Sequence, residues 1–220
     1  MWTGLLLALA WGRASADERI IKTIQPKPYI KMQRVELSPH LGAAVNDPFV
    51  MRYFVGCGLG YHVSEIFAVE TAFDFAPDLG RADWKPVTTQ LVDSNHVSPG
   101  ISRWMWSVDA VVLFSPIYGK AAVKGVELLS FEVFGRFGAS LVHTEDDTES
   151  LGTDDLYTRQ TLSQDHIASV YGGGLRLFLT ERTSARLEGR GVSYIETVSA
   201  GTLQMKNTVV LMASASFLVR

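Results

Sequence analysis

The sequence predicts an all-β fold: an eight-stranded antiparallel transmembrane up-and-down β-barrel behind an N-terminal signal peptide. Three observations lead there. Apolar side chains recur at every second position through eight separate segments. Most of those segments run 11 residues or more; a membrane-crossing strand needs roughly 9–11, and soluble strands average roughly 5–6. Beyond the N-terminal stretch there is no run of about 18 apolar residues, so no helix is apolar enough to span a bilayer.

The chain has 220 residues, 47% hydrophobic and 20% charged, enough for one domain with its own core. A net charge of −3 and an isoelectric point near 5.9 give no basic footprint for nucleic acid. Cys57 is the only cysteine, so neither an intramolecular disulfide nor a cysteine metal cluster can form. The opening MWTGLLLALAWGRASADE reads as a secretion signal. Gly4 to Trp11 is the apolar core, and Ala14-Ser15-Ala16 supplies the small-x-small site, giving cleavage before Asp17. The organisation is then signal 1–16, periplasmic lead-in 17–32 and barrel 33–220.

The first strand, about 33–44, sets Val35, Leu37 and Leu41 against Arg34, Glu36, Ser38 and His40, with a bulge expected at Pro39. The second, YFVGCGLGYHV over 53–63, puts an apolar residue at every odd position and Gly56, Gly58 and Gly60 opposite. Its G-x-G-x-G spacing is not a nucleotide loop, because no helical period follows to bring a helix N-terminus to phosphate. The third, about 66–76, sets Phe67, Val69, Phe73 and Phe75 against Glu70 and Asp74. The fourth, about 103–115, sets Trp104, Trp106, Val108, Val112 and Phe114 against Ser107 and Asp109. The fifth, about 127–143, sets Leu129, Phe131, Val133, Phe137 and Leu141 against Glu132, Phe134 and Arg136.

The sixth, about 168–179, sets Tyr171, Leu175 and Leu177 against Gly172, Gly174 and Arg176. The seventh, about 184–195, is diluted by Gly189 and Gly191, with Arg186, Glu188 and Arg190 on its polar face. The eighth, about 206–219, sets Val209, Leu211, Phe217 and Val219 against Thr208, Ser214 and Ser216. Short connections at Ser64-Glu65, 115–121 and 180–183 alternate with longer ones at 76–102, 144–167 and 196–205; 45–50 is the short exception. Short turns at one rim and long loops at the other suit a membrane barrel.

Alternation by itself fits a soluble lipocalin-like barrel as well, with the apolar face turned inward. Aromatic placement favours the membrane. Tyr53, Phe73, Phe75, Trp104 and Trp106 gather toward the long-loop rim, and Tyr61, Phe67, Phe114 and Phe217 toward the short-turn rim, as two interfacial girdles. The polar face carries a sparse, balanced charge set. Glu70, Asp74, Asp109, Glu132 and Glu188 oppose Arg136, Arg176, Arg186 and Arg190. Inside a barrel of this strand number they must pair, forming a salt-bridge plug; a gated or proton-conducting lumen is the other use of such a set.

Several turn and strand motifs carry a resemblance. Gln25-Pro-Lys-Pro-Tyr29, Val35-Glu-Leu-Ser-Pro39, Val45-Asn-Asp-Pro-Phe49, Gly60-Tyr-His-Val-Ser-Glu65, Ser115-Pro-Ile-Tyr-Gly-Lys120 and Leu175-Arg-Leu-Phe-Leu-Thr180 span nearly the whole exported chain. In these the sequence resembles the outer membrane β-barrel domain proteins of myxobacterial type. The resemblance implies an outer-membrane location and no catalytic residues. It also implies a place among barrels that serve envelope-spanning complexes, including gliding-motility machinery. The C-terminal Phe217-Leu-Val-Arg220 departs from the terminal aromatic of such barrels.

His40 and His62 fall on the lumen side, His96 in a long loop, and His143 and His166 beside another; none has metal-ligand spacing. Acyl transfer at the outer rim would need a serine, a histidine and a carboxylate, and His143 with Ser150 or Ser163 is the best such set. The acidic stretch 144–167 (Glu145, Asp146, Asp147, Glu149, Asp154, Asp155 and Asp165) reads as a solvated loop, with a cation or basic partner as the sharper use. The basic residues of 17–34 (Arg19, Lys22, Lys27, Lys31 and Arg34) suit a loose tail or docking to a periplasmic partner. The sequence therefore points to a non-catalytic integral component of the outer membrane, without cofactor, that contacts lipid and anchors or engages envelope proteins. A passive conduit for small hydrophobic molecules, opening laterally beside the seventh strand, is the alternative.

Overall fold

A computed structural model describes residues 29–95, 101–121, 129–150, 158–198 and 202–219. The signal segment and lead-in residues 17–28 lie outside these, as does His96. Eight antiparallel strands follow one another around a closed ring. They are β1 (Val35–Ala44), β2 (Tyr53–His62), β3 (Phe67–Phe75), β4 (Ile101–Ala121), β5 (Leu129–Ser150), β6 (Thr158–Phe178), β7 (Thr183–Val198) and β8 (Thr202–Val219). The ring closes where β1 pairs with β8, from Val35↔Val219 to Ala44↔Val210.

Alternation along each strand divides inside from outside. In β3, Phe67, Val69, Phe73 and Phe75 are exposed while Ala68, Glu70, Ala72 and Asp74 are buried. The same split runs through β1, β2, β5 and β8. The buried set includes four arginines (Arg136, Arg176, Arg186 and Arg190), and the exposed set includes Leu41, Leu59, Phe137, Leu187 and Leu211. This inverts a water-soluble protein, where charges face out. Leaving that much apolar surface in water would cost roughly 25 cal/mol for each Å², so the exterior is built for lipid. The lipocalin-like arrangement is thereby excluded.

Strand length is uneven. β4, β5 and β6 have 21, 22 and 21 residues, against 10, 10 and 9 in β1, β2 and β3. At about 3.3 Å per residue β5 is near 70 Å long, far more than a hydrocarbon core of about 30 Å requires. The surplus of β5 and β6 lies largely at the long-loop rim, where they stay paired to Ser150↔Thr158, and β4 and β5 also stay paired past Phe114 to Ala121↔Leu129 at the other rim. The acidic stretch expected as a solvated loop is therefore largely a paired ribbon, with Glu145 opposite Ser163 and His143 opposite Asp165.

Three further expectations are corrected. Residues 115–121 are not a turn, because β4 continues through Ala121, which pairs with Leu129. The connection drawn at 196–205 shrinks to 199–201, since β7 runs to Val198 and β8 starts at Thr202. Pro39 makes no bulge. The β1–β8 ladder merely lapses at Ser38 and Pro39, with register kept from Leu37↔Phe217 to His40↔Ser214. A proline that offers no N–H removes a bond without adding a residue.

Candidate functional site

Among the described residues, paired side chains cross the lumen in successive charged tiers. At the short-turn end, Lys31 Nζ reaches Glu132 Oε2 at 2.5 Å. Arg176 lies 3.7 Å from Glu132 and 2.9 Å from Glu36, and Glu36 also meets His62 Nε2 at 2.5 Å. One tier further in, Arg186 donates to Glu70 at 2.7 Å and Glu188 at 3.0 Å, and stands over the Phe134 ring at 4.9 Å. Arg136 donates to Glu188 at 2.7 Å and lies 3.4 Å from Asp109 and 3.8 Å from Glu70. Arg190 binds Glu188 at 2.5 Å and Asp74 at 3.0 Å, and Asp74 also meets His40 Nε2 at 2.5 Å. Every charge in the set has an opposite charge beside it, as deep burial demands.

The glycines of β2 make this possible. A Cβ on Gly56 would collide with His40 Nε2 and the Phe73 carbonyl, and would sit 2.8 Å from Asp74 Oδ1. Gly58 and Gly60 face Glu70 and Glu36 at ordinary contact distance. The space they leave is taken by carboxylates and a histidine.

Described residues cross each mouth. At the short-turn rim, Tyr29 stacks on Phe178 with centroids 4.9 Å apart, and the Lys31 and Met32 amides donate to Glu65 Oε1 at 3.0 and 2.9 Å. The last residues of the lead-in thus enter the barrel instead of forming a loose tail. At the other rim residues 76–95 fold against the mouth as a 3-10 helix, Gly80–Asp83, and a helix α1, Pro86–Asn95. Val50 bridges to Trp84, and Arg52 donates to Asp83 at 2.8 Å, to the Ala76 carbonyl at 3.0 Å and to the Trp104 carbonyl at 2.7 Å. The space beneath, bounded by Arg52, Phe54, Trp104 and Tyr194, is about 10 Å³, room for about one water. Outside the barrel wall, Asp78 accepts from the Gly80 amide at 2.9 Å and from Arg103 at 3.0 Å. The Gly80 bond first, and the Arg103 charge after it, hold its carboxyl below the usual aspartate range.

Of the residues read as girdles, Tyr53, Phe73 and Phe75 stand outward near the long-loop rim, and Tyr61, Phe67, Phe114 and Phe217 near the short-turn rim. Phe67 and Phe114 touch across their strands with centroids 5.0 Å apart. Trp104 is a correction. A register shift between Trp104 and Trp106 reverses the alternation of β4, so Trp104 turns inward against Phe54 while Trp106 stays outside. Glu36 and Lys31 are two lumen charges missing from the sequence-based set, and Arg52 and Glu196 are buried as well. Glu36 lies on the polar face of β1 and was visible there. Lys31 precedes any strand, so no periodicity marks it.

On the outer face, Phe75, Trp106, His143 and Asp165 stand side by side in one row across four strands. Trp106 stacks on the His143 ring with centroids 5.1 Å apart. His143 Nδ1 is 2.6 Å from Asp165 Oδ1, and Ser163 Oγ is 3.2 Å from His143 Nε2. The sequence offered Ser150 and Ser163 as equals; Ser163 is the one beside the imidazole, and the side chain of Ser150 lies outside the described set. His166 instead points inward, bonded to Thr144 and stacked on Tyr194.

A closed antiparallel ring with an apolar exterior, aromatic rims and a polar filled interior is the architecture of outer-membrane barrels. The chain is an integral outer-membrane β-barrel protein in contact with lipid. The sequence matches no protein-family model, and no curated protein sequence matches it. Among solved structures, it is similar to the N-terminal β-barrel domain of Pseudomonas aeruginosa OprF. There the identity is 14%, the coverage is 86% of this chain and 98% of the other, and the TM-score is 0.47. It is also similar to neisserial surface protein A, at 11% identity, 84% and 95% coverage and a TM-score of 0.49. A third likeness is to the attachment invasion locus protein Ail of Yersinia pestis, at 13% identity, 84% and 97% coverage and a TM-score of 0.42.

Proposed function

We propose that this protein is a closed-lumen barrel serving as an anchoring or interaction component of the outer membrane, not a channel. One observation carries the reading: Arg136, Arg176, Arg186 and Arg190 are each engaged by carboxylates across the lumen, between two mouths that are themselves stoppered by Lys31–Glu132 and Arg52–Asp83. A pore would need an unoccupied, hydrated path, and the side chains fill it. What remains for interaction is the outside, chiefly the lid over 76–95 and the protruding β5–β6 ribbon. The resemblance of the turn motifs to myxobacterial-type barrels supports a place in an envelope-spanning complex, with lead-in residues 17–28 as the periplasmic contact.

Planar-bilayer recording on the folded protein tests the proposal. The expected trace is flat at 100 mV. Reproducible unitary steps from the unaltered protein would overturn it and favour a conduit.

A further inference from the structure

We propose that Ser163, His143 and Asp165 form an acyl-ester hydrolase site facing the outer leaflet, a role that goes beyond the anchoring function and does not depend on the lumen. The three side chains have the nucleophile–base–orienter relationship: hydroxyl to Nε2 at 3.2 Å, Nδ1 to carboxylate at 2.6 Å. The stack of Trp106 on the imidazole holds the ring plane.

Depth supplies the substrate class. The row immediately below on the same face is Phe73, Val108, Leu141 and Ile167, all apolar and all exposed toward lipid. The row above is Arg103, Glu145 and Ser163, polar throughout. The serine therefore sits one step above the boundary between acyl chains and headgroups, where the ester linkages of membrane lipids lie. The substrate is a fatty-acyl oxygen ester, whether of a glycerophospholipid or of an acylated sugar lipid.

The chemistry balances with water alone. Ser163 Oγ attacks the ester carbonyl carbon while His143 Nε2 takes the hydroxyl proton. The carbonyl–alkoxy bond then breaks, and the departing alcohol receives that proton. Water attacks the acyl-serine, again losing a proton to Nε2. The carbonyl–Oγ bond breaks, Ser163 regains the proton, and a fatty acid leaves. Ser163 and His143 are the catalytic residues. Asp165 is a positioning residue that keeps Nδ1 protonated.

The test uses the full chain folded in detergent micelles, with folding of each variant read from heat-modifiable gel mobility. An alkyl fluorophosphonate is expected to label Ser163, and p-nitrophenyl laurate to be cleaved. Ser163→Ala should abolish labelling, and His143→Gln should cut hydrolysis by at least about 100-fold. Asp165→Asn should lower kcat with KM little changed. Fatty acid released from phospholipid micelles or from acylated glucosamine micelles identifies the source; release from neither overturns the lipid assignment. A folded wild-type protein that takes no label, and cleaves the ester no faster than Ser163→Ala, overturns the site itself.

Discussion

Lys31 and Glu132 lie 101 positions apart in sequence, yet their side chains meet at 2.5 Å inside the short-turn mouth. Both are about 1% exposed. The contact turns a basic stretch before the first strand into part of the barrel's interior. Removing one member of a buried pair strands the other, at a cost of about 3–5 kcal/mol, whereas removing both can be nearly neutral. Lys31→Met is therefore expected to lower the temperature at which the folded band disappears on a gel. Lys31→Met with Glu132→Met should recover most of the loss. Equal loss in the single and double variants would show that the cost does not come from leaving Glu132 unpaired, Arg176 standing 3.7 Å from it.

Arg136 touches Glu188, Asp109 and Glu70. Arg136→Gln leaves three carboxylates facing one another with less compensation, so stability should fall by about 3 kcal/mol or more. In planar bilayers the variant is expected to show brief cation-selective openings that the parent lacks. A variant that is destabilised yet electrically silent would mean that side-chain bulk, not charge pairing, seals the lumen.

Gly56 and Gly60 differ in what surrounds them. A methyl group at Gly56 meets a backbone carbonyl as well as His40, and the carbonyl cannot swing away. Gly56→Ala should cost about 1–3 kcal/mol by overpacking. At Gly60 the nearest atoms are 3.7 Å off, so Gly60→Ala should be neutral or slightly stabilising, as a strand gains from losing a glycine. Thermal gel-shift midpoints of the two variants give the comparison directly.

The reversal in β4 has an optical consequence. With bromine-labelled acyl chains as quenchers, Trp106→Phe should remove most of the lipid-quenchable fluorescence. Trp104→Phe should remove emission that lipid does not quench. Similar quenching of both would mean that the two rings share a face after all.

Asp78 ties the lid to Arg103 and the Gly80 amide. Its carboxyl titrates below the ordinary value, so the folded lid favours the ionised form. The contribution is complete above the unfolded value of about 3.9 and is lost as pH falls through the lower, folded one. The group is largely exposed, so the effect is small. Protease nicking within 76–95 should stay constant from pH 7 to pH 5 and rise only below about pH 4; Asp78→Asn should remove that pH dependence.

Much of the fold is written in the sequence because a strand's two faces alternate with period 2, and this environment makes the faces chemically opposite. Phe73 and Asp74 announce their sides without any partner in view. The lumen arginines were legible for the same reason: a charge at the inward parity of a long strand has nowhere else to go. Beyond the bilayer that contrast ends. The β5–β6 ribbon is polar on both faces, so its pairing to Ser150↔Thr158 left no periodic trace, and Glu145 and Asp165 looked like loop residues.

The sequence by itself determined the eight strands, the apolar and polar faces, and the need for charges to pair inside. Tertiary structure decided which charges pair, because Arg186 finds Glu36, Glu70 and Glu188 only when distant strands close a ring. It decided the side of Trp104, because a register shift belongs to two strands and not to one. It also decided that Ser163, not Ser150, stands beside His143, because cross-strand neighbours are set by register, and register depends on the whole barrel.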